Sequence, residues 1–383
     1  MIRRKKKKKI GFLSKIMLAS NIAAAVVLLL SYLASVTDPK SFWPIAFVGL
    51  AYPFILGVNV LFAIYYLIRK PLFALIPVAA ILLGWKFLTS YIGFRETTAI
   101  EVPKSSGNFL RVMTYNVHSF KQFGNKNDAF TKDQILNIIR KEQPDVICFQ
   151  EFFSRRKGEY NFRRLVKEVL DTEHYYFVPA MDNDYEAMGL AIFTKLPVRD
   201  KGHIRFDNSR GGNEAIFLDV EFKKKPVRIY NVHFQSISFQ PEDYSYLKDA
   251  TQNIEPDVAS SKRIGRRLKQ AFVKRSDQVK VLKEHTETCK TPFVVAGDFN
   301  DTPISYTVNY MMEDLTNCFR KKGSGFGITY NGDFPNFQID YILASDHFDV
   351  KNYRIVKKKL SDHYAVRSDI ELKSTNDPPA GKE

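Results

Sequence analysis

Thr291-Pro-Phe-Val-Val-Ala-Gly-Asp-Phe-Asn-Asp301 is the stretch on which the fold turns. Phe293 to Ala296 reads as a buried strand, and it runs into Gly297-Asp298-Phe299-Asn300. Alternate residues of an extended segment face the same way, so Asp298 and Asn300 share one side. A carboxylate and an amide at the end of a buried strand must be solvated, paired or bound to a metal. A DFND turn with self-capping side chains is the plainer alternative.

The same kind of ending recurs along the chain. Tyr115-Asn116-Val117-His118, Cys148-Phe149-Gln150-Glu151 and Tyr230-Asn231-Val232-His233 close earlier apolar runs. Gln338-Ile339-Asp340-Tyr341 and Ser361-Asp362-His363 come after them. One such residue is unremarkable, but a set of Asp, Glu, Asn and His at strand ends points to a shared site. Oxygen donors dominate it, and hard oxygen ligands suit Mg²⁺, Mn²⁺ or Ca²⁺ better than zinc.

In order and spacing, the GDFN, Ile339-Asp340-Tyr341-Ile342 and Ser361-Asp362-His363 motifs resemble the endonuclease/exonuclease/phosphatase (DNase I-like) family. The resemblance covers about Leu110 to Ile370. It implies an α/β four-layer sandwich, two packed β-sheets flanked by helices, with a site at one edge of the sheets. It also implies roles. Glu151 matches the metal-binding glutamate and Asn116 the amide near the metal. Asp362 is a further metal ligand or the cap of its own turn. Mg²⁺ is the implied cofactor, with Mn²⁺ as a substitute. Asp298 orients or deprotonates the attacking water, and Asn300 holds a phosphate oxygen. Asp340 pairs with His363, which acts at the phosphoryl group, and His233 donates to the phosphate. Asp298, Asn300, His363, Asp340 and His233 are thus the implied catalytic set, and Asn300 and His233 also bind substrate. His118 and Asn231 are read as structural. Gln338 stands where many relatives carry a basic residue, which leaves the preferred substrate charge open.

Around these motifs β-type and helical runs alternate. Leu110 to Val117, Val146 to Gln150, Leu190 to Phe193, Ala215 to Phe222, Val227 to His233, Phe293 to Ala296 and Ile339 to Leu343 read as strands. Asp133 to Lys141, Arg163 to Leu170 and Ser261 to His285 read as helices. Ile264, Leu268, Ala271 and Phe272 give the last helix one apolar face, and Lys262 to Lys269 makes it basic. Pro241 to Asp257 reads as an acidic loop. Cys148, Cys289 and Cys318 are too scattered for a disulfide framework or a zinc site, and Cys148 reads as a buried thiol.

The chain's charge of +16 suggests a polyanion at first sight. Its distribution weakens the suggestion, because residues 1–96 hold thirteen Lys/Arg against Asp38 and Glu96 and so carry +11 of it. The same residues are strongly apolar elsewhere. Ile16 to Val36 and Phe42 to Ile68 are uncharged and long enough to span a bilayer. Pro71 to Phe94 is a third candidate, interrupted by Lys86 roughly 22 Å along a helix, where an ammonium can snorkel to the far interface. A cleaved signal peptide is the competing reading of residues 1–36.

The expected organisation is a basic cytoplasmic tail (1–15), a transmembrane region of two or three helices (16–94), a linker (95–108), a catalytic domain (109–372) and a flexible tail (373–383). By the positive-inside rule the tail and Arg69-Lys70 face the cytoplasm. In the expected inner-membrane protein three spans put the catalytic domain on the non-cytoplasmic side, and two would leave it in the cytoplasm. The expected function is a membrane-anchored, divalent-metal-dependent phosphodiesterase using in-line water. Its partners are the lipid bilayer and a phosphoester, either a phospholipid headgroup or nucleic acid, and no protein partner is implied. A membrane-bound DNA or RNA nuclease with the same residues is the alternative. An inactive adaptor that binds phosphorylated ligands is a more remote one.

Overall fold

The computed structural model describes residues 11–95, 108–121, 128–207, 211–252, 257–332 and 336–373. The run Arg3 to Lys9, most of the expected linker and residues 374–383 of the expected tail lie outside them.

Two six-stranded mixed sheets form the centre. The first runs β13 (Phe348–Val356), β14 (Ala365–Leu372), β2 (Leu110–Asn116), β3 (Val146–Arg155), β5 (Glu186–Thr194), β4 (Tyr175–Asp182). The second runs β10 (Leu315–Asn317), β12 (Asp340–Ser345), β9 (Phe293–Asp298), β8 (Lys225–His233), β7 (Glu214–Phe222), β6 (Val198–Arg205). Only β2 with β3 and β8 with β9 pair in parallel among the described strands. Each parallel pair brings two carboxyl ends to the same edge. Asn116 stands beside Gln150 in one, and His233 beside Asp298 in the other.

Strand periodicity sorts the core into layers. Val112 and Cys148 pack with Ile216, Ile229, Val294 and Ile342 between the sheets. Met113, Tyr115 and Phe149 face outward onto α7 (Ala129–Glu142) and α8 (Phe162–Leu170). Tyr230, Val295 and Tyr341 face α10 (Val258–Glu287) and α11 (Tyr306–Met311). Buried on both faces, these strands read as continuous apolar runs rather than alternating ones. The result is the expected four-layer sandwich. One polar cluster crosses the inner layer. Asn231 donates to the carbonyls of Phe149 (2.9 Å) and Ala191 (3.0 Å) and accepts from Gln150 (2.6 Å), so it ties the sheets together. Cys148 is a buried free thiol, as read.

Several elements depart from expectation. Residues Pro241–Gln252, read as loop, form helix α9. Glu242 and Asp243 lie in its first turn, where carboxylates favour a helix start. Asp243 is buried against Arg263 and Arg267 of α10. Strands β4, β6, β13 and β14 escaped the sequence reading. Three of them are sheet edges with charged outer faces, and β14 hides its charge, since Asp369 pairs with buried Arg111 at 2.7 Å.

Before the sandwich come α1 (Phe12–Tyr32), the short α2 (Pro39–Phe42) and α3 (Pro44–Leu50), then α4 (Tyr52–Arg69), α5 (Pro71–Leu83) and α6 (Trp85–Tyr91). The helix from Phe12 to Ser35 and helix α4 are long and apolar enough to cross a membrane. The third candidate is broken. Helices α5 and α6 meet at Gly84 with a bend of 70°, so Lys86 lies in a short helix beyond the bend rather than along one straight span. The bend packs closely on α1: a Cβ at Gly84 would lie 2.1 Å from the Tyr32 ring, whose hydroxyl donates to the Ala80 carbonyl at 2.9 Å. The bent pair still has the apolar length of one span.

These helices seat directly on the sandwich. After α6, β1 (Ile92–Phe94) pairs with β11 (Ser324–Phe326), which follows α12 (Cys318–Lys322). Asp38, between α1 and α2, accepts from Ser276 and Lys280 of α10, each at 2.5 Å. Ile304 packs among Leu28, Tyr52 and Phe87. The sandwich therefore meets the Ser35, Tyr52 and Tyr91 ends of the helices. Phe12 and Arg69-Lys70 lie at the other ends.

Candidate active site

The strand endings named from the sequence meet in one cavity of about 240 Å³. Asn116, Glu151, His233, Asp298, Asn300, Asp362 and His363 line it. Asp340 stands behind His363.

Backbone geometry aims these side chains. Glu151 sits where the β3–β5 register shifts between Phe149 and Phe152, with φ +50°. Such a bulge adds a residue to one strand and re-aims a side chain. Asn300 has φ +53° and its backbone N–H donates to Asp298 Oδ1 at 2.8 Å. Left-handed non-glycine residues cost energy and concentrate at functional sites. At Gly297, φ is +152° and a Cβ would lie 2.0 Å from the Val232 carbonyl oxygen, so only glycine permits this approach of β9 to β8.

Asp298 is the hub. Its Oδ2 accepts from Asn116 Nδ2 at 3.1 Å and from Asn300 Nδ2 at 3.2 Å. His233 Nε2 and His363 Nε2 face the same oxygen at 3.6 and 3.8 Å. Burial pushes the Asp298 carboxyl up to about 6, against the pull of His363. His363 Nδ1 meets Asp340 Oδ2 at 2.9 Å. Burial works to lower the His363 pKa, but Asp340 and Asp298 together hold it well above the ordinary imidazole value. Thr329 Oγ1 accepts from the Ile339 and Asp340 N–H groups, which fixes the start of β12. Ser361 Oγ donates to the Asn116 carbonyl at 2.8 Å and accepts from the His363 N–H at 3.2 Å.

A second wall is formed by Glu151, Asp362 and His118. Both carboxylates face His118 Nδ1, at 3.5 and 3.7 Å. The hydrogen bond to Glu151 raises the His118 pKa. Burial works to raise Glu151, yet His118 and the other imidazoles bring it down to about 2. His118, read as structural beside Asn231, thus lines the cavity, whereas Asn231 lies between the sheets.

Two donor sets invite a cation. Asp298, Asp340 and His363 offer ligand atoms within 4.8 Å of one another. In that set the short Asp340–His363 contact already occupies Nδ1, although Asp340 Oδ1 has no hydrogen-bond partner among the described residues. Glu151 and Asp362 instead present carboxylate oxygens on the cavity wall, about a quarter to a third exposed, while Asn116 turns its Nδ2 to Glu151 and Asp298 and its Oδ1 to the His118 N–H. That donor chemistry fits a hard divalent cation.

Some lining residues carried no sequence signal. Arg275, in the middle of α10, reaches Asp301 Oδ2 and the Gln235 carbonyl, each at 3.0 Å. Leu50 arrives from α3. Gln338 is buried at the side and does not line the cavity.

A model described as the endonuclease/exonuclease/phosphatase family matches residues 113–363, and one described as a domain of unknown function matches residues 14–91. No curated protein matches the chain. Among solved structures the chain is similar to an endonuclease/exonuclease/phosphatase from Beutenbergia cavernae DSM 12333, at 21% identity and TM-score 0.50 over 69% of this chain and 72% of that one. It is similar to the human Nocturnin catalytic domain with bound sulfate at 17% identity and TM-score 0.49, over 72% of this chain and 97% of that one. A mannosyl-6-phosphatase from Bacteroides thetaiotaomicron VPI-5482 gives 16% and 0.48, over 69% and 100%. At such identities the likeness is one of fold.

Proposed function

The chain belongs to the endonuclease/exonuclease/phosphatase family of phosphoester hydrolases, and on that premise we propose a membrane-anchored phosphodiesterase dependent on Mg²⁺ or Mn²⁺. The observation that carries the reading is the crowding of Asn116, Asn300, His233 and His363 around one Asp298 oxygen.

In this reading Asp298 takes the proton of the attacking water. The new bond from water oxygen to phosphorus forms as the ester P–O bond breaks, and His363 gives a proton to the departing oxygen. Asp340 holds the His363 ring and favours its cation. Asn300 and His233 hold phosphoryl oxygens as negative charge builds. Glu151, Asn116 and Asp362 would hold the divalent ion, which when bound polarises a phosphoryl oxygen and offsets its charge.

The anchor supports a position for this chemistry. The sandwich meets the helix ends opposite Arg69-Lys70 and Phe12, and the first tie runs through Asp38 in the loop after α1. Positive charge retained in the cytoplasm then leaves the catalytic domain on the other face of the cytoplasmic membrane.

The test uses the full chain in detergent with bis(p-nitrophenyl) phosphate. Hydrolysis should need Mg²⁺ or Mn²⁺, stop with EDTA and return when the ion is restored. Asp298→Asn and His363→Ala should each lower kcat by about 10²- to 10⁴-fold. Activity that survives both substitutions, or that ignores EDTA, rejects the reading.

A further inference from the structure

The cavity has a second arm that hydrolysis of a phosphoester does not use. Beyond Asn300 its wall turns apolar, through Ile237, Phe239, Leu268, Phe272 and Leu50. This is one packed patch. Leu268 and Phe272, on one face of α10, pack with Ile237, Phe239, Leu50 and Phe47. Phe47 of α3 meets the Phe272 ring edge-on at 5.3 Å. Leu50 ends α3, and α4, long and apolar enough to cross a membrane, begins two residues later at Tyr52. The apolar arm therefore opens from the phosphate end of the cavity towards the membrane-spanning helices.

Its chemistry also says what it does not suit. Among the described residues that line the cavity, Arg275 is the one lysine or arginine, and its guanidinium is committed to Asp301 and Gln235. A polynucleotide needs a track of cations for successive phosphates. This cavity offers donors for one phosphate group at one end and hydrocarbon at the other.

From this we infer that the substrate is a phosphoester lipid of the bilayer, with its phosphate at Asp298 and His363 and the first part of a hydrocarbon chain between Leu50, Phe239 and Phe272. The inference rests on the phosphodiesterase reading and narrows it. Entry along α3 would let the headgroup reach the site while most of the chain stays in the membrane. The methylenes leave bilayer hydrocarbon for apolar side chains rather than for water, so drawing the headgroup to the site carries no hydration penalty, and a polar wall would restore one.

Two experiments decide it. In the first, the full chain in nanodiscs or vesicles of phosphatidylcholine with phosphatidylglycerol is assayed with Mg²⁺ for released headgroup. Bis(p-nitrophenyl) phosphate and single-stranded DNA are the comparison substrates. Leu50→Gln and Phe239→Ser should lower the ratio of lipid to soluble-diester turnover at least tenfold, through KM rather than kcat. An unchanged ratio, or DNA cleaved in preference to lipid, overturns the inference while the phosphodiesterase reading stands. No turnover of any of the three substrates removes both. The second experiment reads binding alone. Asp298→Asn in vesicles carrying phosphatidylcholine with a photoreactive acyl chain should be labelled at peptides containing Leu50 or Phe239. Labelling confined to the outward faces of α1 and α4 overturns the inference whatever the turnover assay gives.

Discussion

Asp298 and Gly297 show how two adjacent residues share one constraint. The aspartate must reach Asn116 across the gap between the sheets. To place it there, β9 runs so close to β8 that the preceding residue has no room for a side chain. Gly297→Ala should therefore destabilise the fold by about 2 kcal/mol or more, from steric overlap added to an unfavourable φ. Denaturant unfolding of the full chain in detergent measures it, and a loss under 0.5 kcal/mol would mean that the strand shifts freely. The acids, amides and imidazoles at strand ends were legible because chemistry leaves few other reasons for them there. His118 was not. It repeats the position of His233 in a second Tyr-Asn-Val-His string, but the left-handed residues His118, Ser119 and Phe120 turn the chain after Asn116. That turn, invisible in composition, brings the ring to Glu151 and Asp362.

Elements are held together by polar contacts that no periodicity announces. Asn231 satisfies two carbonyls and a glutamine amide of the opposite sheet. Asn231→Ala removes three buried hydrogen bonds, leaving Gln150 only its bond to Thr114, so it should cost about 2–4 kcal/mol, whereas surface Asn183→Ala should cost far less. Thermal unfolding of the two variants gives the comparison. Asp38 ties the loop after α1 to α10. Burial works to raise its pKa, but Lys280, Ser276 and the Lys40 N–H hold it below the ordinary aspartate value. A carboxylate depressed in the folded state adds stability above its unfolded pKa and loses it as pH falls through the folded one. The Asp38–Lys280 contribution, about 1 kcal/mol for a partly exposed pair, should thus be full at neutral pH and vanish in acid below the ordinary aspartate range. A double-mutant cycle with Asp38→Asn and Lys280→Met, run at neutral and acid pH, reads it; a coupling that persists in acid contradicts the assignment. Helix α9 makes the same point about legibility. Its sequence is acidic and poor in apolar residues, and two arginines of α10 hold Asp243 while Tyr246 and Leu247 pack on the apolar face of that helix.

For the whole molecule the question is how the sandwich stands relative to the bilayer. The loop after α1 and the strand after α6 both touch it, and in the proposed topology both lie on its side of the membrane. In that proposal α4 and the bent α5–α6 pair cross as an out-and-back hairpin, with Arg69 and Lys70 at the far turn. A cysteine in place of Thr37 should react with an impermeant maleimide added outside intact cells, and one in place of Lys70 only after permeabilisation. The reverse pattern would invert the topology and place the catalytic domain in the cytoplasm.

The sequence by itself determined the apolar strand runs, the six polar endings whose resemblance to a known family implied the four-layer sandwich, and an apolar N-terminal region long enough to cross a membrane. Each rests on a local pattern: an apolar run of strand length, a polar residue where it ends, or an uncharged run of bilayer length. The tertiary structure alone decided the bend at Gly84, the place of His118 in the cavity and the apolar arm from Leu50 to Phe272. Those depend on contacts between residues as far apart as Tyr32 and Gly84, or Leu50 and Phe272. Local propensity holds no record of such partners, because packing selects them only after the elements have formed.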